Sequence, residues 1–189
     1  MKNKVKLEYE IVNVVGGADL GIKIDLREMY DDVEGYGAIY EPEQAGGLYF
    51  ELPISGVTVM VFNKGGYHLT GAESVDNMYD GNEELLKILG CETQLEIKNT
   101  TPEVRNIVFS GNFGMELDLN SLNNDLEGAS NIDNSSPTRL QYRNEKIEGT
   151  FTLFRTGSFL YTGASTQASA HEGIAILRNE INSLLKDTS

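Results

Sequence analysis

VMVFNKGGYHLTGAES, running from Val59 to Ser74, returns 92 residues later as FTLFRTGSFLYTGAST, from Phe151 to Thr166. Phe62 meets Phe154, and the tripeptide TGA at Thr70 meets the same tripeptide at Thr162. Working outward toward the N-terminus, IVNVV from Ile11 matches VRNIV from Val104, which sets Asn13 opposite Asn106. ADLGIKIDLR from Ala18 then matches GNFGMELDLN from Gly111 at an offset of 93, so the copies differ by one residue of loop. A sequence written twice is a statement about architecture, because each copy must fold into the same supersecondary unit.

Within a copy the apolar pattern changes period. Lys6 to Val15 alternates as a strand does, and Asp25 or Asp118 stands where a helix cap belongs, ahead of Leu26, Met29, Tyr30 and Val33 or of Leu119, Leu122 and Leu126. β-rich segments such as LYFEL, VTVMVF and YHLTG follow, separated by Gly or Pro turns. Each copy closes on a longer helix. Its stripe is Ile174, Leu177, Ile181 and Leu184 in the second copy and Val75, Met78, Tyr79, Leu86 and Leu89 in the first, where Gly81 interrupts it. The segment CETQLEIKNTTPE joins the copies. Helices cover one face of such a sheet, and its other face is either a binding surface or buried against its twin.

Composition narrows the functions. The chain has 189 residues, 40% of them apolar, with 29 Asp and Glu against 15 Lys and Arg and a net charge of -14. That balance opposes unspecific attraction to phosphate or anionic lipid, and it fits either high internal salt or a basic protein partner. No apolar run is long enough for a membrane span, so a cytoplasmic protein is expected. Cys91 alone cannot form an internal disulfide, and His68 and His171 make no metal cluster; no metal and no cofactor are expected. GGADLG lacks the Lys and Ser/Thr of a phosphate loop, and no carboxylate pair or activated nucleophile stands out, so an enzyme is not expected.

The order VNVV, DLG, DL, YEPEQ, GGLYF, VFNKGG, LTGA, then RNIV, LDL, LQYR, LFRTG, YTGA, resembles the TATA-box-binding protein family of archaea and eukaryotes, from about Val5 to Leu185. The resemblance implies an α+β fold: a saddle-shaped, curved antiparallel sheet of about ten strands, with two helices per repeat and pseudo-twofold symmetry. Its repeats would be residues 5–96 and 97–185, forming one continuous saddle. It also implies a general transcription initiation factor that binds and bends promoter DNA through the minor groove. A·T edges there offer only acceptors, so an apolar sheet with few donors reads them through shape and deformability.

Carried over residue by residue, the resemblance makes Asn13 and Asn106 the central hydrogen-bonding pair, with Thr70 and Thr162 beside them and Val15 and Val108 in van der Waals contact. Phe62 and Phe154 match one intercalating wedge of each half. The partner wedges fall at Ala45 and Pro137, neither of them aromatic. Arg143 and Arg155 would hold phosphates, with Arg139 and Lys64 nearby, while Glu51, Gly66, Glu73, Ser158 and Ser165 stand where the family carries cations. Weak, lopsided DNA binding is expected, or binding that needs high salt or a partner. The family meets transcription factor B through the glutamates of its second-half loop, which here reads NIDNSSPTR and has lost them, while the first half keeps Glu41 and Glu43; either the partner engages the other half or that contact has decayed. The partners implied are a TATA-like promoter element, a transcription factor B-type protein and, without DNA, a second copy of the chain through the concave face. The alternative is a protein-interaction module or regulator that binds transcription factors without gripping DNA tightly.

Overall fold

Alternation of apolar residues along short β-rich segments puts every second side chain on one face, and that face needs a cover. In the computed structural model, which describes residues 7–44, 46–97, 100–131 and 138–187, the cover is helical. The first copy runs β1 (Glu8–Asp19), α1 (Leu26–Val33), β2 (Ile39–Tyr40), β3 (Gly47–Glu51), β4 (Thr58–Phe62), β5 (Gly66–Ala72) and α2 (Val75–Glu92). The second repeats the order with β6 (Glu103–Asn112), α3 (Leu119–Asp125), β7 (Ala129–Asn131), β8 (Arg139–Tyr142), β9 (Thr150–Phe154), β10 (Ser158–Ala164) and α4 (Gln167–Asp187). The strands hydrogen-bond in the order β2-β3-β4-β5-β1-β6-β10-β9-β8-β7. Every pairing given in register is antiparallel. The α+β class and the duplication therefore stand as expected.

Two compact units divide the chain inside β1 and β6: Val12–Arg105 forms one, residues 1–11 and 106–189 the other. We refer to them as the first and second units. Both carry a register shift in the long strand pair, between Val14 and Gly16 where β1 meets β5, and between Tyr161 and Ala164 where β10 meets β6. Such a bulge re-aims the side chains beside it.

Local chemistry starts the helices where the sequence marks them. Asp25 accepts from the backbone N–H groups of Arg27 (2.9 Å) and Glu28 (3.3 Å), and Asp118 does the same for Asn120 (3.0 Å) and Ser121 (3.3 Å). Leu26, Met29 and Val33 of α1 and Leu119 and Leu122 of α3 are buried, as is the α4 stripe at Ile174, Leu177 and Ile181.

The α2 stripe needs correcting. Met78, Gly81, Asn82, Leu85, Ile88 and Leu89 are buried, while Tyr79 is exposed and Leu86 half-buried. Gly81 does not interrupt the seam but sits in it, because a Cβ there would come within 3.0 Å of the Val57 side chain. Asn82 is tolerated among apolar neighbours since it accepts from the Tyr67 hydroxyl and donates to the Thr100 carbonyl (2.9 Å). Glu84, also buried, accepts from the backbone N–H groups of Ile54 (2.8 Å) and Ser55 (2.9 Å), which anchors the β3–β4 turn.

The two cores use different residues at matching places. Val59, Val61, Tyr67 and Leu69 fill the first, and Phe151, Leu153, Phe159 and Tyr161 the second. Phe151 and Tyr161 stack at 4.0 Å and 4°, and Phe151 meets Phe159 edge-on at 5.7 Å. The Tyr161 hydroxyl donates to the Glu148 carbonyl and the Tyr142 hydroxyl to Glu180, so both rings bury their bodies without stranding a polar atom.

Candidate nucleic-acid interface

The residues between the buried ones form a second, helix-free face in each unit. In the first unit Met60 and Phe62 on β4, His68 and Thr70 on β5, and Asn13 and Val15 on β1 are all half-buried, each next to at least one buried neighbour. In the second, Thr150, Thr152 and Phe154 on β9 and Asn106 and Val108 on β6 are likewise half-buried, and Leu160 and Thr162 on β10 are exposed. The surface is mostly apolar or hydroxylic and carries no carboxylate among these positions, despite the acidity of the chain.

The two asparagines are held alike. The Asn13 Oδ1 accepts from the backbone N–H of Gly71 at 2.8 Å, and the Asn106 Oδ1 accepts from that of Gly163 at 2.7 Å. Both glycines belong to the TGA tripeptides and have positive φ, 83° and 101°, a conformation that glycine adopts without strain. A backbone N–H can only donate, so it fixes which end of the amide is oxygen. Each Asn therefore has its oxygen committed to the turn, which leaves its NH2 as the end that donates. The Asn13 amide also lies 3.4 Å from the Thr70 hydroxyl. The sequence names these residues, but only the fold shows that the TGA turn orients them.

Phe62 and Phe154 end β4 and β9 at equivalent places, opposite Gly47 and Arg139 respectively. Phe62 packs edge-on against His68, with ring centroids 5.3 Å apart. Ala45 and Pro137, the partner wedge positions, lie outside the described residues.

Cations are distributed unevenly. In the second unit Arg143 is exposed and its Nε donates to the Thr150 hydroxyl at 2.8 Å, which lays the guanidinium beside the helix-free face. Arg155 is exposed just after Phe154 and helps keep the Asp118 carboxyl below its usual range, behind the larger effect of the Ser121 and Asn120 hydrogen bonds. In the first unit Lys64 is exposed in the β4–β5 turn. Glu41 and Glu43 are exposed in the turn after β2, where the Gln44 N–H closes onto the Glu41 carbonyl at 2.9 Å.

The family model described as transcription factor TFIID, or TATA-binding protein, matches residues 8–91 and again residues 101–184, one match for each copy. The chain belongs to the TATA-binding protein family. Among its relatives, the TATA-box-binding protein C of Halobacterium salinarum is 28% identical over 183 residues, covering 95% of this chain and 100% of that one. The TATA-box-binding protein F of the same organism is 31% identical over 178 residues, covering 92% and 93%. The solved structure of Methanococcus jannaschii TBP superposes with a TM-score of 0.80 at 26% identity, covering 93% of this chain and 99% of that one. The TATA-binding protein fold thus extends over both repeats. Among the described residues no helix is long and apolar enough to cross a membrane.

Proposed function

We propose that this TATA-binding protein family member is a general transcription initiation factor that binds a TATA-like promoter element through the minor groove and bends it. The observation that carries the reading is the matched pair of asparagine amides. Each has its oxygen tied to a TGA glycine, which leaves its NH2 as the donating end. An A·T pair shows only acceptors in the minor groove, and an oriented NH2 on an apolar strand face is the complement of that pattern. Thr70 and Thr162 supply hydroxyls beside the amides, and Val15 and Val108 supply apolar contact. Phe62 and Phe154 unstack a base step each, at a cost of a few kcal/mol that the bent DNA returns as added contact.

Phosphates are held by Arg143 and Arg155, and the shortage of further cations makes binding weak at low salt compared with a cation-rich surface. Glu41 and Glu43 present the acidic loop to a transcription factor B-type protein in the cytoplasm. Without DNA, the half-apolar helix-free faces of two copies pair with each other. A module that binds transcription factors and leaves DNA alone is not favoured, because both copies retain the oriented amide.

The test is a salt titration of binding to a TATA-containing duplex, with bending read by energy transfer between its ends. Micromolar or tighter binding with a measurable bend is expected. Absence of binding at every salt concentration overturns the reading.

A further inference from the structure

One cluster on the first unit's helix-free face has no match in the repeat. Arg105 on β6 sends its guanidinium across β1 to β5, where Nη1 lies 2.6 Å from His68 Nε2. It can cross because residue 17 is glycine. A Cβ on Gly17, the strand partner of His68, would stand 3.0 Å from the Arg105 Cζ and 2.6 Å from the Tyr67 carbonyl oxygen. Arg105 itself is exposed. The repeat places Leu160 where His68 stands and Val12 where Arg105 stands, both among the more exposed large apolar side chains.

The protonation of the pair follows from its geometry. A guanidinium has no acceptor, so His68 Nε2 must accept and the ring is neutral with its proton on Nδ1. Burial and the neighbouring Arg105 charge both lower the His68 pKa, which agrees with a neutral ring. Arg105 spends one N–H on His68 and, being exposed, keeps others for a further acceptor.

We infer that Arg105, held across Gly17 by His68, is a specificity-determining residue that makes the first unit the stricter reader of A·T pairs and so orients the protein on a symmetric element. Minor-groove A·T edges accept hydrogen bonds, whereas a G·C pair adds the guanine N2 amino group, a donor that meets the guanidinium donors unpaired. The second unit, with Leu160 at the corresponding place, exacts no such penalty. His68 acts as a positioning residue. The inference rests on the minor-groove reading above.

Cys91, the sole cysteine of the sequence and exposed, provides one attachment point for a dye. A palindromic A·T duplex in which one half carries a G·C pair, labelled at either end, then reports by energy transfer which half the first unit occupies. The full chain is expected to place its first unit over the all-A·T half by about fivefold or more, the low end of what one base contact discriminates. Arg105→Gln should bring that ratio close to one while still binding. His68→Leu should reduce the bias, and His68→Gln, whose side-chain oxygen can accept from Arg105, should restore part of it. A ratio near one in the unaltered chain overturns the inference, as does a bias unchanged by Arg105→Gln. Uniform weakening by Arg105→Gln with a salt slope reduced by about 1 also overturns it, since that is the signature of a phosphate contact. Failure of the unaltered chain to bind any duplex overturns the minor-groove reading itself, so the two failures are distinguishable.

Discussion

The two units solve one folding problem with different side chains. Beneath the helices the first uses Val59, Val61, Tyr67 and Leu69 where the second uses Phe151, Leu153, Phe159 and Tyr161. On the open face the inequality reverses: the first unit carries His68 and Arg105, and the second carries Leu160 with Arg143 against Thr150. Among what they share on that face is the TGA glycine that holds an asparagine. A duplicated fold thus tolerates repacking of its interior and recharging of its surface while it keeps the hydrogen bond that fixes which end of each asparagine donates.

The largest effect that would sharpen this comparison is on the second core. Phe151→Ala removes a ring stacked on Tyr161 and edged by Phe159, and should cost about 3–5 kcal/mol. For a chain of this size each kcal/mol is about 2–4 °C in the unfolding midpoint. Thermal unfolding followed by circular dichroism should show a drop of about 6–20 °C, and a smaller one for Val59→Ala. Equal losses would mean that the aromatic core confers nothing on the second unit beyond ordinary packing.

Next in size is the wedge. Phe154→Ala should remove more DNA bending than Ala45→Phe adds, because it deletes the wedge proposed to unstack a base step, which no other aromatic residue of that half is placed to do. Energy transfer across a labelled duplex measures both. Unchanged bending and affinity in Phe154→Ala would show that the helix-free face is not the DNA face.

Removing one oriented amide should weaken duplex binding about tenfold, near the net worth of a single hydrogen bond of about 1 kcal/mol plus the lost packing. Asn13→Ala and Asn106→Ala should act alike in a fluorescence titration. A large effect in one and none in the other would break the symmetry that the TGA turns imply.

Smaller still is the phosphate contact. Arg143→Ala should lower the slope of log affinity against log salt by about 1, with little change in sequence preference.

A last prediction concerns alkaline pH. Burial, with the Glu148 charge second, pushes the Tyr161 pKa up to about 12, and burial with the Glu180 hydrogen bond raises that of Tyr142 further. The folded state holds these protons more tightly than the unfolded chain, so their stabilising effect is complete below pH about 10 and is lost as pH rises toward 12. Denaturant midpoints across that window should fall, and Tyr161→Phe should flatten the fall.

Much of this was legible in the chain itself. The offset of 92 to 93 residues gave the duplication, Asp25 and Asp118 gave two helix starts, and the repeat match with the family resemblance singled out Phe62 and Thr70. The α2 seam was misread because Gly81 looks like a break and Asn82, a polar residue, was not expected in it. Their burial follows from partners on other elements, Val57 for the glycine and Tyr67 with Thr100 for the amide.

What the sequence determined by itself was therefore the face on which each side chain lies, since a period of two is a local property of an extended chain. It could not say which residues become neighbours across strands, because that depends on register between segments far apart. Asn13 finds Gly71 across 58 positions, and Arg105 finds His68 across 37 by passing over a residue with no side chain. The tertiary structure decided both. In doing so it turned two asparagines into a matched pair of aimed donors, and one arginine into a feature that the repeat does not share.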